Sequence, residues 1–531
     1  MWRKRTIFIY QLPLLFSFIY FFITPKFLLP GEDAAILFNY IENFANTGVI
    51  SYYPGGPATE GNSDFLFFVC TSLLYKVGWA PYYAALMVTA ISLFFSSYGL
   101  LAIAYTRKSV LNFFTILSVY FSLQIWAGLL GYGTILFGMF YIWMLWAFKS
   151  SNSRLFFLNA LLLCVDRADG LLYSVPLILA YLYIQRKFWS KHLRIFLIWF
   201  LLPYLIYFVW RWQYFDMFLP LPFYIKSRGL RWMNLVNISS FYINLHYIRY
   251  FLLWAIIPLL LMIFYPLKKI KIRYLLLILT GVVIPFWGYS AMVMEMNLSF
   301  RYQYPMYLTL VVMLIVMAKE KYAFWAVFFL GLFVFTTFQK SRDMGIHALQ
   351  SKYNNMYAFG GALAAYTGNS MAVTESGILP WRSQWKSYDM WGLNTRTFTN
   401  GLIQSEDIVK LRPTIINIHA VGEHYDYLLD SGVIYKDKSW EGMCYNAFHA
   451  AKKMNYEIWM MPYDYRNYVH KEAPLKALQR IYYNLVNRYG VSERYDMFLI
   501  DKSAKDAENL NIVIRKYGGI PWDIYKKRGG H

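Results

Sequence analysis

Between residues 6 and 338 the chain is a succession of apolar runs, most too long and too poor in charge to be core segments of a water-soluble domain. An α-helix needs ~17–25 such residues to cross the hydrocarbon layer of a bilayer, where a segment must satisfy its own backbone hydrogen bonds. Taking shorter runs as broken or tilted spans gives about eleven crossings. They fall at 6–28, 82–105, 109–129, 131–148, 154–166, 170–185, 193–214, 244–266, 274–293, 302–318 and 322–338. The fifth and sixth are short and flank Asp166-Arg167-Ala168-Asp169, as half-buried helices meeting near the outer surface would; removing that pair leaves the parity unchanged. Only 15% of residues are charged, against roughly a quarter in soluble chains, and 21% are aromatic, which suits two water–lipid interfaces.

The formal net charge of +22 would fit a nucleic-acid binder if it formed a stripe. Instead the cations sit in short clusters between apolar runs: Arg3-Lys4-Arg5, Arg107-Lys108, Arg186-Lys187 with Lys191 and Arg194, Lys268-Lys269 with Lys271 and Arg273, and Lys319 with Lys321. With Arg3–Arg5 inside, every one of these clusters falls on the cytoplasmic side, which is the positive-inside pattern. No nucleic-acid partner is expected. The expected protein is a multi-pass cell-membrane protein of a bacterial inner membrane, with its N-terminus cytoplasmic and its C-terminus outside. The basic start followed by the apolar stretch Ile7–Leu29 reads as a retained first span, since no small-residue cleavage site ends it.

From about residue 340 the character changes to a mixed polar and apolar tail, giving a membrane module over 1–339 and a soluble extracytoplasmic domain over 340–531. In the tail Met371–Thr374, Thr414–Ile418 and Met497–Ile500 read as strands, and Leu475–Tyr489 as a helix, so a small α/β domain is expected. The fold class is therefore a polytopic α-helical membrane protein with a C-terminal α/β domain. Cys70, Cys164 and Cys444 are scattered and read as small buried apolar residues, without a disulfide in the tail.

The topology sorts ionisable residues by side. The first outer loop, 29–62, holds Glu32, Asp33, Glu42 and Glu60 and neither Lys nor Arg. Leu37, Tyr40, Ile41 and Phe44 recur at helical spacing, so residues 34–46 read as an amphipathic helix along the membrane surface. Asp33 at its start reads as an N-cap, a role that also keeps a carboxylate ionised and fixed for proton abstraction. Other outer loops carry Arg167 and Asp169, then Arg211, Asp216 and Lys226 around Leu219-Pro220-Leu221-Pro222, then Glu295 and Arg301. Singly, such charges are interface anchors. Together they place carboxylates in one loop and cations in three others. A general base beside cations that hold an anionic leaving group is what glycosyl transfer from a lipid phosphate requires.

The stretch from Gly31-Glu32-Asp33-Ala34-Ala35-Ile36 to Glu60-Gly61-Asn62-Ser63-Asp64-Phe65-Leu66 resembles the first-loop motif of GT-C membrane glycosyltransferases, nearest to the subgroup of mycobacterial terminal arabinofuranosyltransferases. The acidic pair, Tyr40, Asn43, Gly48, Pro54-Gly55 and Glu60-Gly61 are kept; Asn39 and Tyr53 depart from the pattern. Asp166-Arg167-Ala168-Asp169-Gly170 is similar to the subgroup's Arg-Pro-Glu/Asp-Gly turn. Arg211 to Lys226, with Tyr214, Pro220 and Tyr224, is similar to its Arg-to-Lys loop, though Leu221 stands where an Asn is expected. Glu295 and Arg301-Tyr302 with Pro305, and later Val373–Gly377 and Asp389–Leu393, continue the series, while Gly133 falls where a Glu is expected. The resemblance implies a polyprenyl-phosphate sugar as donor substrate, a glycan, lipid or protein hydroxyl as acceptor outside the membrane, and inversion at the anomeric carbon. It implies Asp33 as base, Glu32 positioning the acceptor or a metal, and Glu60 supporting the loop. Arg211, Lys226 and Arg301 would hold the donor phosphate, with Arg167, Asp169 and Glu295 bracing the bundle or reaching the donor.

Two other classes compete. A secondary transporter would show inverted repeats with broken spans at mid-bilayer, and no such repeat is visible. A non-catalytic envelope-assembly or flippase subunit would tolerate Gly133 and Leu221. A divalent metal is left open: His419, Glu423 and His424 fit no strong ligand spacing and read as surface residues.

Overall fold

A computed structural model describes residues 13–15, 17–18, 20–22, 30–104, 132–226, 272–290, 298–318, 355–421, 426–429, 433–435, 438–462 and 495–527. The expected spans 109–129, 244–266 and 322–338, most of 6–28, and the expected helix Leu475–Tyr489 lie outside them. The chain forms two compact units: Met1–Phe27 with Ser63–Gly345, and Leu28–Asn62 with Ile346–His531. This division differs from the one expected at residue 340, which kept the first loop with the membrane module. The loop belongs with the C-terminal segment because its apolar side chains are buried there, where Phe38 packs edge-on against Trp381 at 4.9 Å.

The described residues of the first unit form helices and their connections. Three of its described helices are long and apolar enough to cross a membrane: Pro81–Ile103, Arg186–Phe215 and Ile272–Tyr289. Shorter apolar helices cover Thr134–Ser150, Ser153–Asp166, Gly170–Ile184 and Tyr304–Ala318, close to the runs read from sequence. Phe65–Lys76 adds a twelve-residue helix that the span reading left as loop. Along Arg186–Phe215, Ile198, Leu202, Ile206 and Trp210 are exposed at four-residue spacing. In water that stripe would be costly; against lipid tails it is not. A tight reversal links Thr134–Ser150 to Ser153–Asp166, with Ser151 at φ 58° and the Asn152 side chain accepting from the Leu155 amide at 3.3 Å.

The second unit is built on a six-stranded mixed sheet in the order β2-β1-β3-β5-β4-β6. The strands are β1 (Ser370–Val373), β2 (Lys386–Asp389), β3 (Ile415–Val421), β4 (Glu457–Pro462), β5 (Tyr495–Ile500) and β6 (Ile520–Pro521). β1 runs parallel to β2 and β3, whereas β5 is antiparallel to β3 and β4. Alternation sends Ala372, Ile416, Ile418, Met460, Met497 and Leu499 to one face, where they join Met443, Cys444, Ala447 and Phe448 of the Trp440–Lys453 helix in a core. Asn417, Phe498 and Trp459 are register neighbours on the opposite face, where Phe359 packs on Phe498 at 5.0 Å. Because β5 opposes β3, its first residues lie at the same sheet edge as the carboxyl ends of β1, β2 and β3. That edge gathers the charged side chains.

Candidate functional site

In the second unit the first-loop helix runs from Glu32 to Thr47 with Gly31 as its N-cap. The Ala34 and Ala35 amides both donate to the Gly31 carbonyl at 3.1 Å. Asp33 is therefore not the cap residue expected from sequence. It is the second residue of the helix, two positions past the cap, and is partly exposed. The expected surface helix is also corrected: Leu37, Phe38, Tyr40 and Ile41 are buried in protein.

Glu32 is committed to the C-terminal segment. Its Oε1 accepts from the amides of Gly377 at 3.0 Å and Ile378 at 2.9 Å. Burial, then the nearby Glu375, push its carboxyl up to about 8, against the opposing pull of the two amides and of His419. His419, on β3, is clamped at both ring nitrogens: Nδ1 lies 2.9 Å from Asp496 Oδ1 on β5, and Nε2 lies 3.1 Å from Glu375 Oε1 just after β1. Its amide donates to Thr374 Oγ1 at 2.8 Å. Burial alone would lower its pKa, but Glu375 and Asp496 outweigh that and raise it to about 9. The surface reading of His419 is thus overturned, since its side chain is only 13% exposed and paired. Glu423 and His424 lie outside the described residues.

The rest of the loop is tied down at the end of β2. Asp389 accepts from the amides of Trp391 (2.9 Å), Gly392 (3.2 Å) and Asn394 (2.8 Å) and from Asn394 Nδ2 (2.9 Å). Asn394 Oδ1 then accepts from the Tyr40 hydroxyl at 2.9 Å, and that hydroxyl accepts from the Gly61 amide at 3.1 Å. A Cβ at Gly61 would collide with both side chains, so the Glu60-Gly61 turn needs its glycine. Glu60 itself is buried.

The first unit holds a different arrangement. The Arg167 guanidinium meets Asp169 through two parallel bonds, Nε to Oδ1 at 2.9 Å and a terminal nitrogen to Oδ2 at 2.8 Å. It also meets Asp64 Oδ1 at 3.2 Å. Asp169 Oδ2 further accepts from the Tyr289 hydroxyl at 2.6 Å, and Asp64 Oδ2 from the Gly133 amide at 3.0 Å. A Cβ on Gly133 would lie 2.9 Å from that of Asp64. A glycine is therefore what lets a carboxylate from another element stand where the motif comparison expects a Glu. Asp166, also buried, accepts from the Phe67 amide at 3.1 Å.

Among the expected phosphate cations, Arg301 is buried and stacks over Tyr132 at 4.7 Å and Tyr302 at 5.4 Å; Arg167 also lies over Tyr302, at 5.4 Å. Arg301 and Arg167 thus share one ring. Arg211 spends one terminal nitrogen on the carbonyls of Met217 (3.3 Å) and Phe218 (2.9 Å), bracing the chain after Asp216 at φ 51°. Lys226 ends the short helix Leu221–Lys226, in which Leu221 is buried, and Glu295 lies outside the described residues. The expected carboxylates Glu32, Asp33 and Glu60 belong to one unit, and the expected cations to the other. Sequence reasoning missed Asp496, and gave Asp64, Glu375 and Asp389 no role although all of them lie in quoted motifs. Among the described residues no group of three or more His, Cys, Asp and Glu is arranged to hold a metal ion.

Residues 346–482 match a family profile described as "Domain of unknown function (DUF8728)". No curated protein matches the chain. Among solved structures, the fold is similar to that of ArnT from Cupriavidus metallidurans, whose crystal structure is bound to undecaprenyl phosphate. The TM-score is 0.55 at 12% identity, over 81% of this chain and 96% of that one.

Proposed function

We propose that this protein is a GT-C-type glycosyltransferase that moves a sugar from a polyprenyl-phosphate donor to a hydroxyl of an extracytoplasmic acceptor, with inversion. The observation that carries this reading is the ArnT-like fold over most of the chain, in a relative bound to undecaprenyl phosphate. The ordered motifs, nearest to the arabinofuranosyltransferase subgroup, agree with it. Asp33 is the base. It stands in the first turn of the loop helix, is partly exposed, and matches the acidic pair of the first-loop motif. The base takes the acceptor proton as the acceptor oxygen attacks the anomeric carbon, and the polyprenyl phosphate leaves as an anion. Arg301 and Lys226 are the proposed phosphate contacts, Arg211 shapes the loop that leads to Lys226, and Arg167 with Asp169 braces the bundle.

The test is release of undecaprenyl phosphate from undecaprenyl-phosphate sugars by the purified full chain in lipid vesicles. Asp33→Asn should lower release and transfer about 10²–10⁴-fold, the usual contribution of a general base, while membrane insertion and thermal unfolding stay unchanged. Near-wild-type transfer by that variant would remove Asp33 from the role.

A further inference from the structure

We infer that His419, held between Glu375 and Asp496, is a positioning residue that fastens Glu32, and with it the first turn of the loop helix bearing Asp33, to the carboxyl edge of the sheet in a proton-dependent manner. The catalytic consequence rests on the proposed function; the fastening does not.

Three observations point the same way. Glu32 reaches the sheet edge through one oxygen that accepts from two consecutive amides, at Gly377 and Ile378. Gly377 makes this approach possible, because a Cβ there would overlap the Glu32 carbonyl oxygen. Two residues before Gly377, Glu375 links this contact to His419 at 3.1 Å, and Asp496 holds the far side of the ring at 2.9 Å. Glu375 and Asp496, from separate stretches of chain, therefore touch one imidazole, and Glu32 from a third acts on it by charge.

Such a cluster is stable only with protons on it. The groups facing Glu32 are Glu375, His419 and the Tyr52 hydroxyl; those facing His419 are Glu375, Asp496 and Glu32; Asp389 acts on Tyr52 from the end of β2. Docking raises Glu32 from an ordinary 4.5 to about 8. Burial lowers the pKa of His419, but Glu375 and Asp496, which flank it whether or not the loop helix is docked, raise it to about 9, and Glu32 adds the smallest share. Glu32 keeps a proton on docking that it loses when undocked, so the docked state binds more protons than the undocked one. The fastening is complete below pH 4.5, weakens as pH rises because docked Glu32 resists ionisation, and is lost through about 8. Because Asp33 is the next residue in the chain, its position follows the state of this contact.

Hydrogen–deuterium exchange of the amides of residues 32–37 in the full chain, from pH 6 to 9.5 and corrected for intrinsic rates, tests the fastening. Wild-type protection should fall about tenfold per pH unit between 6.5 and 8, as linkage to one proton requires. Glu32→Gln keeps an oxygen for the two amides but cannot ionise, so its slope should drop by one proton. Gly377→Ala should expose these amides at every pH. A flat wild-type profile, or an unchanged slope in Glu32→Gln, would overturn the inference. Asp33→Asn separates the two claims: full transfer by that variant with pH-dependent protection intact defeats the base assignment alone, and a flat profile beside a dead Asp33→Asn defeats the fastening alone.

Discussion

The two ionic clusters use similar residues, but only one of them is built to respond to protons. In the first unit one guanidinium faces Asp64 and Asp169, with the Tyr289 hydroxyl and the Gly133 amide completing the shell. Arginine does not lose its proton in a protein, so this charge balance is fixed. In the second unit an imidazole faces Glu32, Glu375 and Asp496. Its charge, and that of Glu32, can change within the range of ordinary growth conditions. The choice of cation turns one cluster into a brace and the other into a titrating joint.

Removing the brace should have the largest effect. Arg167→Met leaves two carboxylates buried without their cation, a loss of about 3–5 kcal/mol. The variant should fail to accumulate or should melt far below wild type in detergent, at every pH. Wild-type stability would mean that the cluster is solvated and no brace at all. Next comes the pH dependence of the joint. The native state holds extra protons on Glu32 between 4.5 and about 8 and on His419 between 6.5 and about 9. Stability should thus fall as pH rises, by as much as about 2.7 kcal/mol per unit where both titrate. In His419→Gln roughly half of that slope should vanish from thermal unfolding followed between pH 6 and 9. The contrast breaks if the slope stays whole.

Much of the brace was legible and little of the joint. The helices Ser153–Asp166 and Gly170–Ile184 match the runs 154–166 and 170–185, because a membrane demands an unbroken apolar stretch and the stretch is local. The turn between them names Arg167 and Asp169 directly. Asp64 was hidden by distance along the chain: it reaches Arg167 across 103 residues. The joint is more scattered still. Glu32 meets Gly377 across 345 residues and His419 meets Asp496 across 77, so neither periodicity nor spacing carries the signal. His419 looked like a surface residue because a lone polar side chain gives no hint of its partners, and the strand that buries it pairs with segments distant in sequence. The Phe65–Lys76 helix was passed over because it is shorter than a span and lies between polar residues.

Gly133→Ala should cost less, about 1–3 kcal/mol, the usual penalty for forcing a methyl group into filled space. Its Cβ would meet Asp64 Cβ at 2.9 Å and Cγ at 3.0 Å, so Asp64 must shift and its bond to Arg167 lengthen. This loss should be the same at pH 6 and pH 8 in thermal unfolding. A pH-dependent loss would mean that Asp64 titrates, and the contrast between the clusters would weaken.

The smallest change sharpens the comparison most finely, because it removes one hydroxyl from each cluster. Tyr289 donates to Asp169 Oδ2 at 2.6 Å, and Tyr52 donates to the Ser376 carbonyl at 2.6 Å, beside Glu32. A hydrogen bond to a charged group contributes about 1.5–3 kcal/mol, and one between neutral groups about 0.5–1.5. Tyr289→Phe leaves Asp169 its two bonds from Arg167, so the loss should sit at the low end, near about 1.5 kcal/mol, and should not vary with pH. Tyr52→Phe should cost about 1 kcal/mol at pH 6. It also loosens the segment that presents Gly377, so exchange at residues 32–37 should speed up more at pH 8 than at pH 6. Equal effects of the two substitutions on that exchange would mean that the loop helix is held by general packing rather than by the joint.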